Sequence, residues 1–190
     1  MIEDMHPDHL VPYEKLFPSQ QPHERIVIVV REHWFLLALK ITGIVLLSLL
    51  PWVFKLLLVG TSILSTSVTA SAIVNTITSV YYLGLLVALF VIYVVYYLNI
   101  YIVSEDRIVD IDQTGVLFRE VSELNIETIE DVSSQKKGLF GNLLNYGTVF
   151  VQTAGATERF EFDNIPQPDV VSSIILQLYE QHGTKEKPRP

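Results

Sequence analysis

Cysteine is absent from the 190 residues. No disulfide, thiolate nucleophile or cysteine-held metal is therefore available, a composition that suits a reducing cytoplasm. Catalytic signatures are missing too: there is no G-x-S-x-G, no G-x-x-x-x-G-K-[ST] and no H-E-x-x-H. The expectation is a non-catalytic protein with no cofactor and no metal. Positive charge is scarce, 13 Lys and Arg against 21 Asp and Glu, for a net charge of −8. Nucleic acid is thus a disfavoured partner, because phosphate binding needs clustered cations. Residues 1–24 lack an apolar run and a small-residue cleavage site, and carry Pro7, Pro12, Pro18 and Pro22. They are expected to be a disordered polar end, not a signal peptide.

The widest gap is one of charge. No Asp, Glu, Lys or Arg occurs between Lys55 and Glu105, in a chain that is 49% hydrophobic. Charges are frequent on both sides, which predicts a membrane-embedded middle between two aqueous parts. The second span is expected at residues 80–98, extending to 103 if the helix runs on; residues 99–103 already alternate like a strand. The first is expected at residues 34–54. Lys40 is the interior charge there and costs about 3 kcal/mol, against thirteen Leu, Ile, Val and Phe at roughly −0.3 to −0.6 each. Insertion wins, and Lys40 is close enough to the start to snorkel to the headgroups.

Trp34 and Trp52 bracket the first span, and Tyr81, Tyr82, Tyr96 and Tyr97 the second, as membrane-interface anchors; the tyrosine pairs would alternatively pack between helices. Lys15, Arg25, Arg31 and Lys40 precede or enter the first span and Arg107 and Arg119 follow the second. The connecting residues 60–79 have no basic residue, and Lys55 is the one competitor at their edge. The positive-inside rule therefore places a multi-pass protein in the cell membrane with both termini cytoplasmic. The Ser/Thr-rich loop 60–79 reads as an interfacial helix, an extension of the second span, or a solvated linker. Residues 25–33 read as a strand added to the cytoplasmic domain or as the lead-in to the first helix.

From residue 99 the period becomes that of short strands. Apolar alternation recurs at 108–111, 116–121, 126–132, 147–152 and 158–162, with turns at 104–107, 112–115 and 153–157. An amphipathic helix follows, on which Val171, Ile174, Ile175 and Leu178 make one stripe. Residues 99–182 thus form one small β-rich domain capped by a helix, with 183–190 a tail.

Several strings in this region occur in a fixed order. They are the S-x-D-R turn (Ser104, Asp106, Arg107), the G-V-L-F-R strand, I-x-D-V (Ile129, Asp131, Val132), the segment ending Gly147-Thr148-Val149, and Asn164-Ile165-Pro166. With the upstream HERIVIVVREHW, the series resembles the bacterial pleckstrin-homology-like domain of two-span membrane proteins, over roughly residues 20–182. The resemblance implies an α+β membrane protein: a hairpin of two transmembrane helices, then a small PH-like antiparallel β-barrel with a C-terminal helix. It implies no known enzyme activity.

A phosphoinositide-type site needs clustered Lys and Arg, yet from Glu105 onward eight face fifteen Asp and Glu. The one local exception is Lys136-Lys137-Gly138-Leu139-Phe140. There two cations at the headgroups, with Leu139 and Phe140 below, would make a lipid or partner contact; alternatively Leu139, Phe140, Leu143 and Leu144 are core. Glu120, Glu123, Glu127, Glu130 and Asp131 match no metal-loop template and read as a solvated acidic face. His6-Pro7-Asp8-His9 has metal-compatible types in a Pro-rich end, and His23 and His33 read as interfacial polar tips. The expected function is a membrane-anchored interaction or assembly scaffold at the cytoplasmic face. Its partners would be the lipid bilayer and other membrane proteins or copies of itself. The alternatives are an oligomeric transport or envelope-stress component, resting on Lys40, Asn75 and the small-residue loop, and weak anionic-lipid binding through Lys136-Lys137.

Overall fold

The computed structural model describes residues 17, 19–21, 23–59, 68–115, 117–153 and 160–185. The apolar run between Arg25 and Arg31 is a strand, β1 (Ile26–Val30), which resolves the first of the open alternatives. His33 then caps helix α1 (Trp34–Ser48), its Nδ1 accepting the Phe35 N–H at 3.2 Å. His33 is also buried and stacked on Tyr146, centroids 5.2 Å apart, and so is not the interfacial tip expected of it.

A break at Leu49 separates α1 from α2 (Leu50–Val59). Its chemical reason is Pro51, which has no N–H to give the carbonyl four residues back. Leu47 O instead accepts the Tyr81 hydroxyl at 2.8 Å, and Ser48 O accepts that of Tyr82 at 2.9 Å. These two tyrosines therefore bond across the helix pair, the second of the two readings of the tyrosine pairs. The return helix, α3, spans Val68–Leu98. Residues 68–79 are thus part of the second helix, which begins well before residue 80; residues 60–67 lie outside the described residues. Trp34–Leu57 and Val68–Leu98, 24 and 31 residues, are long and apolar enough to cross a membrane. At 1.5 Å per residue α3 is about 46 Å long, more than the ~30 Å hydrocarbon thickness.

One residue, Asn99, joins α3 to strand β2 (Ile100–Ser104). Its N–H donates to Val95 O at 3.1 Å and its side-chain oxygen accepts the Gln113 N–H at 2.6 Å, so the joint is held at both ends. Strands β3 (Arg107–Thr114) and β4 (Phe118–Asn125) complete an antiparallel sheet in the order β1-β2-β3-β4. After a 3-10 turn (Ile126–Thr128) come β5 (Ile129–Gln135), the short helix α4 (Gly138–Leu144), β6 (Tyr146–Thr153) and β7 (Phe160–Pro166). Helix α5 (Pro168–Lys185) follows. The second sheet has the order β5-β6-β7. Its expected turn at 154–157 lies outside the described residues.

The barrel expected from the sequence is not closed. Among the described residues the four- and three-stranded sheets remain separate hydrogen-bonded units. Apolar packing rather than strand pairing joins them: Val103 and Ile108 of the first sheet share one core with Val149, Val151 and Phe162 of the second and Ile175 of α5. Close approach of β5 and β6 needs Gly147, where a Cβ would lie 2.2 Å from Gln135 O.

The central strands β2 and β3 of the first sheet carry buried residues on both faces, whereas β4 is exposed. Ile102, Val109 and Ile111 point away from the main core and are covered by Phe17, itself 1% exposed. Burial of that ring contributes roughly 1.5–3 kcal/mol. Within the end expected to be disordered, residues 1–24, Phe17 and Glu24 are instead buried; residues 1–16, 18 and 22 lie outside the described residues. Glu24 fixes this segment to the S-x-D-R turn: Ser104 Oγ lies 2.6 Å from its Oε1, and Gln21 N–H donates to its Oε2 at 3.1 Å. Arg107 Nε lies 3.1 Å from the same Oε1, an ion contact by distance although the N–H is not aimed at the oxygen. Arg107 Nη1 also reaches Glu123 at 3.0 Å. The motif is a structural latch.

Candidate functional site

Four surface features of the part formed by the sheets are candidates for function. The first is α4. Its backbone faces β6 through buried Gly141, where a Cβ would meet Tyr146 O at 3.2 Å. Its other side is open: Leu139 is 77% exposed, Leu143 73% and Phe140 55%. The expectation that these three are core is corrected, because the glycine rather than the leucines faces inward. Phe140 stacks on Phe35 at 5.4 Å, so α4 lies beside the first turn of α1, next to exposed Trp34. The two cations differ. Lys136 is bound to Asp169 at 2.5 Å, and Lys137 is exposed. Lys136, with Ser134, holds the Asp169 carboxyl below its ordinary range.

The second feature is a shallow polar hollow of about 630 Å³ on the outer face of β5-β6-β7, lined by Ser133, Gln135, Lys137, Thr148, Glu161 and Asp163 among others. The third is a seam of carboxylates. Tyr101 and Asp110 are paired across β2 and β3, and Asp112 and Glu120 across β3 and β4. Asp163 of β7 approaches them, its N–H donating to the Tyr101 hydroxyl at 3.2 Å. Burial, followed by Asp112, Glu120 and Asp163, pushes the Asp110 carboxyl up to about 6. Burial also raises the Tyr101 phenol. Among the described residues no group of three or more His, Asp or Glu is placed to hold a metal ion. The fourth feature is β4, an edge strand in which Phe118 and Val121 are exposed, adjoining exposed Leu117.

The remaining sequence candidates are dispersed. Lys40 pairs with Glu32 at 2.9 Å and Lys55 donates to Asn75 at 3.0 Å, so the polar groups behind the transport alternative have partners. Tyr96 lies in the second helix beside Tyr97, on whose ring Arg31 sits at 5.4 Å; Trp52 is exposed on α2. Glu120, Glu127, Glu130 and Asp131 are exposed, and Glu123 is taken by Arg107. His23 is exposed, whereas His6 and His9 lie outside the described residues. Sequence reading missed the Asp110 seam and the Glu24 latch. The i, i+2 carboxylates Asp110 and Asp112 inside an apolar strand were the available signal for the seam.

A family model described as a bacterial PH domain matches residues 25–179. The chain belongs to the bacterial PH domain family. The matched stretch takes in both apolar helices of this bacterial PH domain chain as well as both sheets. One similar solved structure is a DUF1696 family protein with a pleckstrin-homology domain from Shewanella loihica. It is 15% identical, with 44% of this chain and 68% of that chain covered and a TM-score of 0.34. No curated protein matches the chain.

Proposed function

We propose that the chain is a membrane-anchored, non-catalytic PH-like interaction module, displayed at the cytoplasmic face. There it docks protein partners or further copies of itself. The observation that carries this reading is the single-residue joint at Asn99 between the apolar helix α3 and strand β2. A module tethered this tightly has a set orientation toward the bilayer, which suits a docking platform better than a ligand-scavenging domain on a flexible linker. The β4 edge is the surface offered for protein docking: an unpaired strand edge with exposed Phe118 and Val121 is a template for strand addition.

The test is photo-cross-linking of the full chain in its native membrane, with the photoreactive residue at position 118. The expected result is a discrete protein adduct or cross-linked dimer that Val121→Lys abolishes. Monomer alone, with the control position Phe90 still labelling lipid, would sink the docking role.

A further inference from the structure

The geometry points to α4 as a third membrane contact: we propose that the face carrying Leu139, Phe140 and Leu143 lies in the headgroup–acyl boundary of the bilayer entered by α1. The proposal rests on the reading that α1 and α3 span the membrane. It goes further, because it says that the PH-like module itself touches lipid and names the surface.

At about 100° per residue, Leu139, Leu143, Phe140 and Leu144 occupy an arc of roughly 140°, with Gly138, Gly141 and Asn142 on the remainder. Such a helix usually turns its apolar arc inward. Here Gly141 is the buried residue, Leu139, Phe140 and Leu143 face out, and Leu144 is half-buried. Something other than the module's own core must cover them, and three observations identify it as the bilayer.

The Phe35–Phe140 stack ties α4 to the second residue of α1, so the apolar face continues onto the side of a helix built for hydrocarbon. Trp34, 60% exposed, is the amphipathic ring expected at that depth. The charge pattern agrees: between Asp131 and Glu158 the chain has no Asp or Glu, whereas acids are frequent through the rest of the module. Lys137, exposed immediately before α4, is placed for the headgroups, while Lys136 is engaged at the surface by Asp169. Lys137 being the one cation beside α4 among the described residues that is not ion-paired, the contact is driven by apolar burial, and neutral lipid suffices.

The absence of cysteine makes the test direct. Leu143→Cys, Glu130→Cys and Phe90→Cys variants of the full chain are labelled with an environment-sensitive fluorophore and reconstituted into phosphatidylcholine vesicles carrying doxyl-labelled lipid. The expected result is quenching of the position-143 label at least about twofold stronger than that of the position-130 label, by shallow rather than deep doxyl groups. Quenching at 90 without quenching at 143 overturns the α4 contact and leaves the spanning helices standing. Absence of quenching at both overturns the two readings together. A label at 143 shielded from soluble iodide yet untouched by doxyl lipid, with cross-linking between chains at that position, overturns the bilayer in favour of a second copy.

Discussion

Asp110 holds its proton up to about pH 6 because it is partly buried and shares its surroundings with Asp112, Glu120 and Asp163. In the unfolded chain the carboxyl titrates near its ordinary 3.8. The folded value is raised, so the stabilising contribution is fully present below the unfolded value and is lost as pH rises through about 6. Above that pH the native state carries an ionised carboxylate in poor solvent beside like charges. Asp110→Asn should therefore stabilise the full chain by about 1 kcal/mol above pH 7, the full linkage being discounted for residual solvent screening, and by nothing below about pH 4. Pulse proteolysis in urea across that pH range measures it. Sequence spacing alone did not single out Asp110, because strand register and the approach of β7 are tertiary facts. Ser104 and Arg107 were legible as a turn, but their partner Glu24 lies 80 residues away from Ser104.

At the scale of elements, the broken first helix is explained by Pro51 and repaired by the second helix. Tyr81→Phe should cost about 1 kcal/mol, the usual worth of one such hydrogen bond, by leaving Leu47 O with the Leu49 N–H of the helix end alone. In a Pro51→Ala background the residue at position 51 regains its N–H, and the same tyrosine change should cost clearly less. Unfolding of the four proteins in mixed micelles gives the coupling between the two positions. Equal costs in both backgrounds would contradict the repair. The length of the apolar runs made both helices legible, and the lack of charge fixed their middles. It left the ends open, since the Ser and Thr of residues 68–79 look like loop residues. In the structure the Ser71, Thr76, Thr78 and Ser79 hydroxyls bond back to carbonyls three or four residues earlier, which makes them compatible with a helix. The short helix α4 was legible as apolar, but which side it would bury turned on Gly141 and Tyr146.

For the whole molecule, the family and the β-rich, helix-capped plan followed from an ordered series of weak motifs, whereas the division into two sheets did not. Closure depends on whether strand ends meet in space, and alternation along one strand carries no such information. The proposed function requires two apolar helices to cross the membrane and the module joined to them to lie on the cytoplasmic side. In a chain without cysteine, single Val68→Cys and Glu130→Cys variants probe opposite ends of that arrangement, and both native side chains are exposed. Membrane-impermeant maleimide should label position 68 in intact cells, and position 130 only after permeabilisation. Labelling of position 130 in intact cells, or of position 68 only after permeabilisation, would contradict it.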